Sequence, residues 1–206
     1  MSGLCVIGVK HFGVHTENAA TPINSLVPPR RNCHARIKRV NYTPGATSHT
    51  LYAMRPLART TASAAASASQ AVVNLTADPG TGTVAGGIAA NDWCVLELAD
   101  GTFQLNKVAS VATLAVTFTD NLSAAMVSGA RVWFLGAPAN GHATFSLPTG
   151  STTTLPADAS GSSNMLGTDL AGTDGPDEPL VLHIDNVTNA GTLNSASCVY
   201  TMDGAA

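Results

Sequence analysis

Charged side chains are scarce in this chain. They make up 11% of its 206 residues, less than half the share usual in soluble domains. Ala, Ser, Thr, Gly and Asn must cover the surface instead. Packing against copies of the same chain suits such a surface better than the life of a freely diffusing enzyme. Long apolar runs are missing too, and none reaches the roughly 18–20 residues needed to cross a bilayer. The opening MSGLCVIGVKHFGVH has its lysine behind the apolar stretch and no A-x-A cleavage pattern, so no secretory signal is expected there. A soluble protein made in a cytoplasm, with no membrane partner, is expected. The four cysteines, Cys5, Cys33, Cys94 and Cys198, stand far apart with no CxxC pair. That excludes a disulfide-dense scaffold and predicts reduced thiols. GxSxG, HExxH and P-loop patterns are all absent from the sequence.

What charge there is is unevenly spread. The first sixty residues hold Lys10, Arg30, Arg31, Arg36, Lys38, Arg39, Arg55 and Arg59 against the single acid Glu17. From Thr61 onward, Lys107 and Arg131 face twelve carboxylates. Those two stretches carry +7 and −10, an asymmetry that speaks of partners rather than of fold. The cluster PPRRNCHARIKR invites a nucleic-acid reading. Only Tyr42 and Tyr52 lie near it for stacking, however, and Arg forks fit carboxylates as well as phosphates. A protein partner is therefore expected, and no nucleic acid.

Strand signals dominate the rest. Residues 1–35 show no sustained period, and Pro22, Pro28 and Pro29 break any helix, which predicts an extended basic arm or long loop with room for a short strand over Leu4–Val9. Ile37, Val40 and Tyr42, the turn Thr43-Pro44-Gly45-Ala46 and the run Thr50 to Met54 predict a hairpin. TTASAAASASQ reads as a short helix or a close-packed extended segment. Between Gln70 and Leu135, QAVVNLTA, WCVLEL, TFQLNKVASV, LAVTFT and RVWFL read as strands, with Asp100-Gly101 as a hairpin turn. Cys94, Leu96 and Leu98 share one face, opposite Trp93, Val95 and Glu97. Asp120 or Asn121 is placed to cap a short helix over LSAAMVSG, closed by Gly129. An acidic, turn-rich loop follows, then two late strands, LVLHID and SASCVYTM. The fold class expected is mainly β. It combines an arm over 1–35, a discontinuous sheet or sandwich over 36–60 and 136–206, and a small SH3- or OB-like barrel over 61–135.

Candidate sites have plain rivals. His11 and His15 would share a helix face as metal ligands, with Cys5, Cys33 and His34 to complete a set, but no zinc spacing results. His183 and Asp185 share a strand face and offer a base with its orienting carboxylate, yet no nucleophile motif accompanies them. Asp169, Asp174, Asp177 and Glu178 are hard donors for calcium without the EF-hand order, so a solvated acidic loop is the simpler reading. Trp93, Trp133, Phe118 and Phe134 read as core or face residues of the barrel, with a sugar platform as the alternative. No metal and no cofactor is expected.

Two blocks carry a resemblance: YTPGATSHTLYAMRPLARTTASAAASASQAVVNL, and ANDWCVLELADGTFQLNKVASV with NLSAAMVSGARVWFLG, together about half of the chain. They resemble segments of virion structural proteins of tailed bacteriophages, above all small head-decoration (cement) proteins. The resemblance implies a non-enzymatic β-rich protein, often trimeric, bound in many copies to the major capsid protein on the capsid surface. The basic stretch would then be the anchor, with Arg30, Arg31, Arg36, Lys38 and Arg39 meeting acids of the shell and Phe12, Ile23 and Leu26 supplying buried area. The alternatives are a tail or head-fibre protein that binds a host surface ligand, and a hydrolase using His183 and Asp185.

Overall fold

A computed structural model describes residues 6–12, 23–43, 49–77, 87–140, 142–147, 153–155, 171–173, 175–184 and 195–204. The chain divides into two compact units. Unit 1 is built from Met1–Arg55 and His142–Ala206, and unit 2 from Pro56–Gly141. Among the described residues there is no helix, and every strand pairing is antiparallel. The mainly-β class expected is what the structure has.

Unit 1 contains two sheets. In the first, β1 (Val6–Phe12), β15 (Ser195–Gly204), β3 (Cys33–Thr43) and β12 (Thr153–Leu155) lie side by side, and β13 (Ala171–Gly172) also pairs with β3. The second has the order β11 (Ala143–Leu147), β4 (His49–Met54), β14 (Leu180–Ile184), β2 (Ile23–Val27). Both contribute to one core: Ala35, Ile37, Val40 and Met202 from the first, Val27, Leu51, Ala53, Leu180, Leu182 and Ile184 from the second. Each of the larger side chains among these, the alanines aside, adds about 1.5–3 kcal/mol when fully buried. Ile37 and Val40 are three residues apart, which strict alternation would place on opposite faces. A register shift of β15 against β3 at this point absorbs the extra residue, and both side chains stay inside.

Two expectations for this unit change. The hairpin across Thr43-Pro44-Gly45-Ala46 does not form. Its strands exist as β3 and β4 but lie in different sheets, β3 against β15 and β4 against β14 and β11; residues 44–48 are outside the described residues. A long strand with apolar alternation takes whichever partner closes a core, and these partners come from the far end of the chain. The stretch expected as an arm with room for a short strand over Leu4–Val9 carries two strands, β1, which overlaps that segment, and β2, paired in register with β15 and β14.

Unit 2 is one curled six-stranded sheet, ordered β5 (Ala58–Thr61), β10 (Arg131–Gly136), β7 (Trp93–Glu97), β8 (Phe103–Ala112), β9 (Ala115–Phe118), β6 (Val72–Asn74). Its outer strands meet. Ala62 bridges Leu75, Ser63 N donates to Asn74 O at 2.7 Å, and Thr76 N donates to Thr61 O at 2.9 Å. The concave side holds Cys94, Leu96, Leu98, Val108, Val116, Phe118, Val132 and Phe134. The Asp100-Gly101 hairpin forms as its residues predict. Gly101 adopts φ +80, and Asp100 Oδ1 accepts from the backbone N and the hydroxyl of Thr102 at 2.9 and 2.6 Å. The segment TTASAAASASQ is extended, with Ala66 bridging Met126 through reciprocal backbone hydrogen bonds of 3.0 and 2.8 Å. The helix expected over LSAAMVSG is therefore absent. Its backbone groups are used across the chain, while Leu122 and Met126 are buried in the core.

Candidate functional site

The eight residues expected to meet a partner are not presented alike. Arg30 and Arg31 are exposed in the turn between β2 and β3. That turn is firmly held: Cys33 N donates to Arg30 O at 3.0 Å, and Asn32 adopts φ +55 with its N–H on Asp177 Oδ1 at 2.6 Å. Asp177 N in turn donates to Cys33 O at 3.2 Å. Asn tolerates this left-handed conformation better than most residues. Arg36 is half-buried within β3, where it is opposite Thr201 and Gly172 in register; Lys38 and Arg39 are further along the same strand, and Arg39 pairs with Val199. Phe12 ends β1 opposite Ala196, and Ile23 begins β2 opposite Ile184. Leu26 is half-buried beside Val181.

The acid-rich segment after residue 170 runs along the basic strand. β13 pairs with Ile37 and Arg36, Thr173 N donates to Ala35 O at 3.0 Å, and Ala35 N donates to Thr173 Oγ1 at 3.2 Å. Asp177 and Glu178 serve this packing, Glu178 Oε2 accepting from Gly175 N at 2.8 Å. Asp169 and Asp174 lie outside the described residues. Among the described residues no group of three or more His, Cys, Asp or Glu converges on one point. His11 is on strand β1, so the helical spacing that would pair it with His15 does not arise; His15 and Cys5 are outside the described residues. Cys33 and Cys94 are both unbridged, and burial pushes the Cys94 thiol well above its ordinary range.

His183 is 1% exposed. Its Nδ1 lies 2.6 Å from Asn24 Oδ1, an acceptor that calls for the proton on Nδ1, and its ring centre is 6.0 Å from that of Tyr52. An amide, rather than a carboxylate, thus faces Nδ1. Asp185 lies outside the described residues.

A charged cleft in unit 2 escaped the sequence. On the convex side of the sheet, Arg131 donates from Nε to Glu97 Oε2 at 2.9 Å and from Nη2 to Glu97 Oε1 at 3.0 Å. Its backbone N–H also reaches Glu97 Oε2 at 3.1 Å. The guanidinium lies 4.9 Å from the centre of the Trp133 ring, which is 1% exposed. Hydrogen bonds from Arg131 hold the Glu97 carboxyl below the usual carboxylate range. Arg59 is opposite Trp133 in the β5–β10 register. Arg59, Arg131 and Trp133, with Thr60, Thr61 and Thr76, line a cleft of about 320 Å³. The placement of Glu97 opposite the Cys94 face was legible from alternation alone. Its partner was not, because nothing local says that β7 lies beside β10.

No protein-family model and no curated protein matches the chain. Two solved structures are similar to it in part. One is the VP16-VP17 complex of the two major capsid proteins of bacteriophage P23-77, with 15% identity, TM-score 0.25, and coverage of 97% of this chain and 98% of that one. The other is VP17, a capsid protein of the same bacteriophage, with 13% identity, TM-score 0.27, and coverage of 98% and 97%. Superpositions with TM-scores this low define no common fold, and the likeness to these two capsid proteins extends no further than those figures.

Proposed function

We propose that this chain is a structural protein of a bacteriophage virion, a decoration protein bound to the major capsid protein on the outside of the capsid. It works by adhesion as a homotrimer, without catalysis or a cofactor. Three features support the reading: the resemblance of the two sequence blocks, the low-charge surface, and the display of Arg30 and Arg31. The last carries it. Two adjacent guanidiniums stand exposed on a turn whose backbone is locked by Asn32 and Asp177, so little freedom is lost when they meet acids on another protein. Weak contacts of this kind, repeated around a symmetric trimer, add up to high avidity.

The structure also selects the test. Deleting residues 1–35 would remove β1, β2 and the core side chains Val27 and Ala35 along with the charges. Reversing Arg30 and Arg31 to Glu removes the charges alone. Purified protein mixed with undecorated capsids should appear as added density on the outer surface by cryo-EM, and the double variant should bind at least about tenfold more weakly, the scale of losing two charge-assisted contacts. Bare capsids at moderate salt and high protein concentration, or equal binding by the variant, would overturn the reading.

A further inference from the structure

In four places the sequence puts an acid or amide side chain directly before glycine: Asp100-Gly101, Asn140-Gly141, Asp174-Gly175 and Asp203-Gly204. A glycine nitrogen, unhindered by a side chain, can attack the side-chain carbonyl carbon of the residue before it, and an amide resists that attack less than an ionised carboxylate. The fold treats these pairs differently. Gly101 N donates to Leu98 O at 3.0 Å, and Asp100 Oδ1 is occupied by both donors of Thr102. Gly175 N donates to Glu178 Oε2 at 2.8 Å, and Gly204 is in the ladder opposite Cys33. Asn140 instead ends the β-turn Ala137-Pro138-Ala139-Asn140, closed by its own N–H on Ala137 O at 2.9 Å. Ala139 and Asn140 are both exposed. The Asn140 amide lies over Gly136, where a Cβ would come within 3.0 Å of Nδ2, and among the described residues no hydrogen bond holds it. Gly141 is outside the described residues; its covalent structure supplies an amide nitrogen next to a carbon with no side chain.

We propose that Asn140 is a site of spontaneous deamidation. The Gly141 nitrogen bonds to Asn140 Cγ and gives up its proton, the Cγ–Nδ2 bond breaks, and ammonia leaves. Water then opens the cyclic imide. Cleavage at Cγ gives aspartate, and cleavage at the main-chain carbonyl carbon gives isoaspartate, which routes the main chain through one extra carbon. Nothing is oxidised or reduced, and water is the only co-reactant. Either product places a new carboxylate at the end of unit 2, Pro56–Gly141. The site does not depend on the capsid reading.

Peptide mapping by mass spectrometry tests it, on the full chain kept warm at mildly alkaline pH, folded and in urea. In the folded chain Asn140 should convert within about threefold of its rate in urea, because no structural lock raises its barrier. Gly141→Ala should slow the conversion at least about tenfold, since a methyl beside the nitrogen crowds the attack. Asp100→Asn sets the same chemistry inside the locked hairpin. That site should convert at least about tenfold more slowly than Asn140 in the folded chain and equally fast in urea. The proposal is overturned if Asn140 converts in urea but not in the folded chain, or if Gly141→Ala converts as the parent does. It is overturned too if the Asp100→Asn site keeps pace with Asn140 in the folded chain.

Discussion

At the scale of single residues, Glu97 and Asp92 respond to acid in opposite directions. Hydrogen bonds from Arg131 lower the Glu97 pKa, so the folded state binds this proton less readily than the unfolded state. The stability it contributes is present above the ordinary glutamate value and is lost as pH falls through the lowered folded value. Burial raises the Asp92 pKa, and the Ala89 N–H that bonds Asp92 Oδ2 at 2.8 Å offsets only part of that. Its ionised form therefore weighs against folding once pH rises past the ordinary aspartate value. Glu97→Gln should cost about 0.5–1 kcal/mol at neutral pH, the range of a partly exposed pair, and progressively less in acid. Thermal midpoints of parent and variant from pH 7 down to pH 3 check this; a gap that stays constant across that range would rule out the ion pair as its source. Sequence alternation placed Glu97 on the right face. It could not supply Arg131, because a cross-strand pair exists only once the strand order is known.

At the scale of elements, strands were legible and their partners were not. WCVLEL and LAVTFT carry their own alternation, and Asp100-Gly101 carries its own turn, so these could be read from a few neighbouring residues. The pairing of β3 with β15 has no local signature, and the Pro-Gly turn signal pointed to the nearer strand instead. The error at LSAAMVSG has a different cause. Leu122 and Met126 are four apart and both buried, and Gly129 adopts φ +86, so spacing and stop signal imitate a helix. What decides the matter is the bridge to Ala66. The neighbouring stretch is organised by one buried side chain, Asn106. Its Nδ2 donates to Asp120 O at 2.8 Å, and its Oδ1 accepts from Lys107 N at 2.8 Å and Asp120 N at 3.1 Å. Asn106→Ala leaves three part-buried backbone groups without that partner, and should lower the stability of the unit by about 1–3 kcal/mol. Denaturant midpoints measure it, and a loss below about 1 kcal/mol, the worth of one ordinary hydrogen bond, would mean that water replaces the amide.

At the scale of the whole molecule, the curled sheet is an insertion whose ends leave from neighbouring points. Arg55 N lies 3.3 Å from His142 Nδ1, and within the insertion Leu57 N donates to Phe134 O at 2.8 Å. Residues 56–141 contain all six strands of their sheet and their own core. Expressed alone they should give a dispersed NMR spectrum and a cooperative thermal transition; a collapsed spectrum would show that the fold needs the flanking unit. The ladder that joins Cys33 to Gly204 then has a consequence for the order of events during synthesis. As the chain leaves the ribosome, residues 56–141 have every strand of their sheet available while β15 is still untranslated. The first unit must wait, its central strand β3 held without its main partner, until Ser195–Gly204 has emerged. By then a folded insertion has drawn the segments around Leu57 and Phe134 together, so the closure that remains spans a much shorter effective loop. The late-arriving acidic segment and β15 thus complete a fold whose middle is already in place.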